Sequence, residues 1–248
     1  LALSPDGHLV LAGDSLGQVS RWSLQEENAS ESHARGHSAG VYAVAFSPDG
    51  RAAVSAGLDR RLVLWNARLN VGGLPRVVEL PQRALAVSYT PDGKALAWAG
   101  GGKEVRFVSP EDGAALAGVP PLRGHLGAIH DLAISRDGRF LATASRDNTI
   151  RLYDLHARAR DPEAGHTQLK GHSQEVWDAA FTPDGRSLVS TGKDGWVHGW
   201  GLAGDQKPKK SWSHGGEAFA LAVSSDGTRL ISAGWGGDVR LFARDRGG

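Results

Sequence analysis

Short apolar stretches of alternating character run along the chain, and the same polar turn interrupts them again and again. In the clearest stretch Val41–Phe46 is apolar, Ser47–Gly50 reads SPDG, and Ala52–Ala56 is apolar once more. The turn recurs as SPDG at Ser4–Gly7, TPDG at Thr90–Gly93, SRDG at Ser135–Gly138, TPDG at Thr182–Gly185 and SSDG at Ser224–Gly227. The copies start at 4, 47, 90, 135, 182 and 224, so the spacing stays between 42 and 47 residues. A fixed period of this size marks a repeat architecture. Pro presets φ at the second turn position, Asp suits the third, and Gly the fourth, where φ is often positive. Apolar runs on both sides of such a turn predict a hairpin in every period.

A third strand follows each hairpin after a short turn such as Gly57–Arg60. It recurs as Val19–Trp22, Leu62–Trp65, Val105–Val108, Ile150–Tyr153, Val197–Trp200 and Val239–Phe242. Branched and aromatic residues at its ends suit a pleated, half-buried surface. A loop of variable length then leads to a weaker fourth strand. No stretch keeps a helical period. Four strands per period and six periods predict an all-β fold, a β-propeller of four-stranded antiparallel blades. The expected organisation is a single domain, 1–248, with repeats beginning near 1, 37, 81, 125, 172 and 214.

Composition narrows the chemistry. The chain carries no Cys, which removes disulfides and thiolate metal sites. A formal net charge of +1 supplies no bulk attraction to nucleic acid or membrane, and no apolar run has the length of a membrane span. The ten His form no His-Glu-x-x-His pattern. Gly100, Gly101 and Gly102 sit between strands and not before a helix, so they do not read as a phosphate loop. Lys207, Lys209 and Lys210 make a basic cluster too narrow for a nucleic-acid face. The sequence therefore predicts no cofactor, no metal, and neither nucleic acid nor membrane as a partner.

Three copies place Gly-His before the first strand: Gly36-His37, Gly124-His125 and Gly171-His172. Their third strands end in Trp65-Asn66, Tyr153-Asp154 and Trp200-Gly201. This phased set resembles the WD-repeat β-propellers over the whole chain, although the Trp-Asp pair itself never occurs. The resemblance implies that the first strand of each blade is innermost and the fourth outermost. It also implies that the last blade borrows its outer strand from the N-terminus. By that order Leu1–Leu3 is the tail of an innermost strand and the chain stops after a third strand at Phe242. The expectation is an N-terminally truncated fragment with five outer strands, whose last blade lacks the sixth. A six-bladed ring would need roughly fifteen more residues and a seven-bladed ring a further blade. Usage rich in Ala, Gly and Arg resembles bacterial, cytoplasmic members, in which other domains of the same chain join the propeller.

His37, Ser55, Asp59 and Trp65 keep spacings of 18, 4 and 6, as do His125, Thr143, Asp147 and Tyr153, and His172, Ser190, Asp194 and Trp200. Ser, His and Asp suggest a catalytic triad, but an active site is made once and this set is made three times. The resemblance implies instead a buried relay in which Asp accepts from His, His bonds the hydroxyl, and the hydroxyl accepts from Trp. Tyr153 is expected to fill the last place through its own hydroxyl. The other copies lose the set. The sixth keeps His214 and Ser232 but has Gly236 and Phe242. The first has Ala12 and Leu16, and the third has Leu80, Trp98, Gly102 and Val108.

Five residues after each His stands Tyr42, His130, Trp177 or Phe219, with Leu85 in the third copy. Just before each relay Asp stands Leu58, Arg146 or Lys193. Aromatic residues with cations are the composition of protein-binding hot spots. The expected function is a non-catalytic scaffold, not an enzyme, that binds a protein or peptide on the face of the Gly-His loops. Tyr42, His130, Trp177, Phe219, Arg146 and Lys193 are the expected contacts. The alternative is a lactonase- or lyase-like enzyme with its site at a central channel. Only His130, Asp131 and Asp178 lie near such a mouth, and strand alternation is expected to turn Asp131 and Asp178 away from their neighbours. A TolB-like propeller would share the SPDG turns without the Gly-His pairs or the relay.

Overall fold

Every SPDG-type turn closes through the same three groups. Ser47 Oγ donates to Asp49 at 2.6 Å and accepts the Ala52 N–H at 2.9 Å, while Asp49 accepts the Arg51 N–H at 3.0 Å. Gly50 donates its N–H to the Ser47 carbonyl at 2.9 Å and sits at φ +69°. The corresponding Gly7, Gly93, Gly138, Gly185 and Gly227 lie at φ +66° to +74°, a region Gly enters without steric cost. Hydroxyl, carboxylate and Gly make the turn. Pro is dispensable, and SRDG and SSDG fold as SPDG does.

These turns are seen in a computed structural model that describes residues 1–25, 31–67, 75–161, 165–202 and 206–244. The chain divides into two compact units, Leu1–Pro121 and Leu122–Gly248. The first unit holds three sheets. Blade 1 is β1 (Ala2–Leu3), β2 (Leu9–Gly13), β3 (Gln18–Ser23) and β4 (Glu31–Arg35). Blade 2 is β5 (Val41–Phe46), β6 (Ala52–Gly57), β7 (Arg61–Asn66) and β8 (Arg76–Glu79). Blade 3 is β9 (Ala84–Tyr89), β10 (Leu96–Gly100) and β11 (Arg106–Val108). In the second unit blade 4 is β12 (Ile129–Ile134), β13 (Phe140–Ser145), β14 (Thr149–Asp154) and β15 (His166–Lys170). Blade 5 is β16 (Val176–Phe181), β17 (Ser187–Gly192), β18 (Trp196–Gly201) and β19 (Lys210–Ser213). Blade 6 is β20 (Ala218–Val223), β21 (Arg229–Gly234) and β22 (Val239–Ala243). All pairings are antiparallel and follow chain order within each sheet, as a β-propeller of meander blades requires.

Blade 6 ends at its third strand, as the sequence predicts. Blade 3 does too, which the sequence does not predict: the described fourth strands number four, not five. The segment after β11 carries Pro110, Pro120 and Pro121, which have no N–H to give a ladder. Gly113 and Gly118 sit at φ +74° and +75°, and the Gly113 N–H turns back to the Ser109 carbonyl at 2.9 Å. A single bridge between Val108 and Ala115 is all that pairs. One short helix, α1 (Leu155–Arg160), follows β14 and was not legible in the periodicity. Asp154 caps it by accepting the Ala157 N–H at 2.9 Å. No described helix is long and apolar enough to cross a membrane.

The second and third strands of a blade are apolar on both faces because each face packs on a different neighbour. Ala53, Val63 and Trp65 join Leu11 and Val19 of blade 1. The alternate residues Val54, Leu62 and Leu64 join Val87, Leu96 and Trp98 of blade 3. In the second unit Ala142, Ile150 and Leu152 pack on Val176, Leu188 and Trp200, and Val189 and Val197 pack on Leu230. In blade 6 Ile231 and Val239 stand where Val189 and Val197 do, and are 41% and 62% exposed.

Candidate functional site

Each first strand of blades 2 to 6 is broken by a β-bulge at one place. Val41 pairs with Gly57 and Ala43 with Ala56, so Tyr42 is skipped. Leu85, His130, Trp177 and Phe219 are skipped in the same way. A bulged residue has no partner across the ladder and its side chain is re-aimed. The five residues singled out by spacing are thus the five extra residues of the sheet edge. A second device recurs beside them. The residue before the relay position donates its N–H to the loop leading into the first strand: Leu58 to Gly40 at 3.0 Å, Arg146 to Ala128 at 2.9 Å, Lys193 to Glu175 at 2.8 Å and Trp235 to Glu217 at 3.1 Å.

In the second unit these devices assemble one surface. His130 and Trp177 have ring centroids 4.2 Å apart, Trp177 and Phe219 5.1 Å, and Phe219 and Trp235 5.6 Å. Four rings therefore form a ladder across blades 4, 5 and 6. At one end Glu175 lies 3.2 Å from Arg146 Nε and 3.3 Å from His130 Nε2. The His130 contact is within ion-pair range but misaligned for a hydrogen bond. Burial pushes the His130 imidazole below its usual range, with Glu175 opposing the shift and Arg146 adding to it. At the other end Trp235 is 79% exposed. Lys193 is half-buried, and its side chain has no partner among the described residues. Trp235 was missed in the sequence, although it stands 21 residues after His214 as Arg146 stands 21 after His125. Tyr42, 62% exposed, holds the same place in the first unit.

The relay residues lie beneath. His37 Nδ1 is 2.9 Å from Asp59 and its Nε2 is 2.7 Å from Ser55 Oγ, which also accepts the Trp65 indole N–H at 2.8 Å. His172, Asp194, Ser190 and Trp200 repeat this at 3.0, 2.8 and 2.9 Å. Because the hydroxyl oxygen accepts from Trp, its proton is free for Nε2, leaving Nδ1–H for the carboxylate. The Asp also accepts the N–H after the His, as Asp59 does from Ser38 at 2.9 Å. Burial acts to raise the Asp147 carboxyl, but the bonds from His125, Thr149 and the Leu126 N–H outweigh it and hold that carboxyl well below its usual range. Asp194 is lowered in the same way, chiefly by His172 against burial.

Blade 4 departs at its last member. His125 contacts Asp147 at 2.8 Å and Thr143 at 2.6 Å, and the Tyr153 hydroxyl, beside Thr143, donates to the Arg123 carbonyl at 3.1 Å. The phenol thus joins Thr143 to the loop before the first strand. In blade 6 the ring of His214 is reversed: Nδ1, not Nε2, meets Ser232 at 2.7 Å, since Gly236 offers no acid. In blade 3 Leu80, Trp98 and Val108 are buried together as an apolar substitute, and Trp98 Nε1 has no partner among the described residues.

His198, not singled out in the sequence, packs its ring 4.4 Å from His172 and donates or accepts through Nδ1 to Ser211 at 2.8 Å. Burial, then the neighbouring His172, pushes it down to about 4. His172, Asp194 and His198 bring three ligand-type atoms within 4.8 Å, but all three side chains are already engaged with the protein.

Asp131 and Asp178 correct the sequence reading. The bulge inserts one residue before each, so the alternation argument is out of phase. Asp131 accepts the Ala179 N–H at 3.2 Å and Asp178 the Leu221 N–H at 2.8 Å, each in the first strand of the next blade. The two carboxyls also interact with each other, and burial raises both. Burial, and then the Asp131 charge, push Asp178 well above the usual carboxylate range. They brace strands and are not free for acid–base work.

The family described as "WD domain, G-beta repeat" matches residues 30–66, 119–154, 165–201 and 206–242, together more than half of the chain. Among curated proteins the chain is 32% identical over 167 residues to "Small ribosomal subunit protein RACK1" of Caenorhabditis elegans, covering 62% of this chain and 48% of that protein. It is 28% identical over 130 residues to "Ribosome biogenesis protein ytm1" of Aspergillus terreus, covering 52% and 26%. It is 25% identical over 166 residues to "Transducin beta-like protein 3" of Bos taurus, covering 62% and 19%. The chain thus spans about half the length of the first of these and less of the others. All three are eukaryotic proteins, which lends nothing to the bacterial reading of the composition. With four matched repeats on four of its six blades, the chain belongs to the WD-repeat family.

Proposed function

We propose that the chain is a non-catalytic scaffold that binds a protein or peptide on the face of its Gly-His loops. The observation that carries this reading is the aromatic ladder His130–Trp177–Phe219–Trp235, with Arg146 and Lys193 beside it. Large, rigid, amphipathic rings lose little entropy on contact, and exposed aromatic rings on a surface that also carries cations are the usual composition of an interface. Tyr42 extends the same chemistry to the first unit. The partner is a protein and not nucleic acid, because among the described residues the ladder is flanked by Arg146, paired with Glu175, and Lys193, where a nucleic-acid face needs a broad basic field. Relatives named for the small ribosomal subunit and for ribosome biogenesis are compatible with assembly work of this kind. A propeller enzyme would need free carboxylates, whereas Asp131 and Asp178 are engaged by main-chain N–H groups.

The test is a peptide-library selection against the folded chain. Selected peptides are expected to lose binding to Trp235→Ala and Trp177→Ala, with the circular-dichroism spectrum unchanged, and to keep binding to a Lys209→Ala control. Peptides that ignore both Trp changes and depend on Lys209 would place the binding surface elsewhere.

A further inference from the structure

Between the SPDG-type turns of blades 2 and 3 lies a cleft that neither the relay nor the aromatic ladder uses. It measures about 360 Å³, and its lining includes Asp49, Arg51, Tyr89, Asp92, Pro110 and Glu111. All of them belong to the first unit. The turns stand at the other end of the first strands from the Gly-His loops.

Pro110 marks the cleft as different from its counterparts. In the other five blades the residue at this place donates its N–H to the residue after the turn Gly. Leu24 donates to His8 at 2.8 Å, Ala67 to Arg51 at 2.9 Å, Leu155 to Arg139 at 2.7 Å, Leu202 to Arg186 at 3.4 Å and Arg244 to Thr228 at 2.7 Å. Several of these residues also plug the seam with the preceding blade. Ala67 is buried, Leu202 packs in one cluster with Phe140, and Arg244 reaches Ser187. Pro110 has no N–H and cannot make the clip.

Arg244 shows what such a seam can hold. Its Nη2 donates to Ser187 Oγ at 3.1 Å and its Nη1 to the Gly227 carbonyl at 3.2 Å. Thr182 and the Arg186 N–H hold Asp184 below its usual range, and the Arg244 charge adds to the shift. Asp49, Arg51, Ala52 and Gly93 hold the places of Asp184, Arg186, Ser187 and Gly227. All four line the cleft. The wall that seats a guanidinium between blades 5 and 6 is thus repeated between blades 2 and 3, where the chain supplies none. Arg51 is no bar, since Arg186 occupies the same place beside Arg244.

The cleft also carries more acceptors than that seam. Asp49 and Asp92 each spend Oδ1 on their own turn, Asp49 on Ser47 and the Arg51 N–H, Asp92 on Thr90 and the Lys94 N–H. Their Oδ2 atoms and the Glu111 carboxylate have no partner among the described residues. Three acids thus face one cation. Tyr89 is 7% exposed, and its hydroxyl has no partner among the described residues either. Burial, then the Asp49 charge, push that hydroxyl up to about 12, so it stays neutral. The other blades have Leu3, Phe46, Ile134, Phe181 and Val223 at this place. A buried hydroxyl without a bond costs the fold stability, and here it lines a cleft that a donor can enter.

We propose that this cleft binds the guanidinium of an arginine side chain presented by a partner protein. A guanidinium offers five N–H donors in one plane, which suits carboxylate oxygens at the rim and a phenol oxygen at the floor. An ammonium has three donors around a point and matches the wall less well. The site rests on none of the rings of the ladder and stands or falls without them.

The experiment is a nuclear magnetic resonance titration that follows the Gly93 and Glu111 amide signals. The probes are a capped pentapeptide with a central Arg and the same peptide with Lys or with neutral citrulline. The Arg peptide is expected to shift both signals saturably, the Lys peptide to bind about tenfold more weakly, and the citrulline peptide to shift neither. Tyr89→Phe is expected to weaken the Arg peptide about tenfold while keeping the urea midpoint, because no bond within the chain is lost. Pro110→Arg is expected to seat its own guanidinium as Arg244 does and to abolish binding. No saturable shift with the Arg peptide, or unaltered affinity in both Tyr89→Phe and Pro110→Arg, would overturn the proposal. A Lys peptide that binds as tightly overturns the choice of guanidinium, and a citrulline peptide that does so overturns the role of charge.

Discussion

Blade 2 and blade 3 are neighbours in one unit and solve the same problem by opposite chemistry. Both must tie the turn after the second strand to the loop before the first. Blade 2 does so with charge and hydrogen bonds, through Asp59, His37, Ser55 and Trp65. Blade 3 does so with volume: Leu80, Trp98 and Val108 fill the space, and Gln82 covers Gly102. The polar solution consumes its carboxylate. The apolar solution needs no carboxylate at the corner, where Gly102 stands in its place. A degenerate repeat is therefore not only a weakened copy. It is the place where the fold stops using a position.

The comparison breaks most sharply at Trp98. It is 1% exposed, so Trp98→Ala should open a large cavity and cost about 3–5 kcal/mol, read as a lower midpoint in urea unfolding. Asp59→Ala strands a buried imidazole and the Ser38 N–H, with an expected cost of about 1–3 kcal/mol in the same assay. If Asp59→Ala cost as much as Trp98→Ala, polar and apolar blades would not differ in kind. Trp65→Phe removes the last donor of the relay but keeps most of the ring. It should cost about 1 kcal/mol and make blade 2 resemble blade 6, which has Phe242 at that place.

The smallest effect is one of pH, in the second unit, where both kinds of buried acid occur. Asp147 and Asp194 are lowered in the folded chain. The stability they contribute is present above the ordinary 3.8 and is lost as pH falls below it. Asp178 is raised. Its contribution is full below 3.8 and is lost as pH rises toward its folded value. Asn in place of Asp178 can still accept from Leu221 and donate to Asp131. Asp178→Asn should thus match the unaltered chain near pH 4 and exceed it increasingly toward pH 8 in thermal unfolding. A constant difference across that range would mean that Asp178 titrates like a solvated carboxyl.

The hairpins and the relay spacing were legible because each depends on residue types with one narrow use. Gly at φ near +70° and an Asp that caps its own turn leave a mark in every copy. The bulges left none, since an inserted residue changes the phase of a strand without changing its composition. Alternation alone therefore turns Asp131 and Asp178 away from their neighbours, whereas each reaches the next blade. Trp235 keeps the spacing of Arg146, but it stands in a blade without the acid that marks the place. The lost fourth strand of blade 3 was written in Pro110, Pro120 and Pro121, whose effect depends on where pairing is due. Helix α1 is too short for a period, and only its cap, Asp154, signals it.

The N–H clip at Leu58, Arg146, Lys193 and Trp235 has a consequence for how such a surface changes over time. The fold asks these four positions only for a main-chain proton, and it accepts an aliphatic residue, two different cations and an indole alike. Arg146 also pairs with Glu175 and Trp235 packs on Phe219, but those contacts belong to the surface and not to the clip. Recognition can then be rewritten one letter at a time, by drift or by design, while the clip is kept. A library randomised at these four positions would sample new partners on a frame that stays the same.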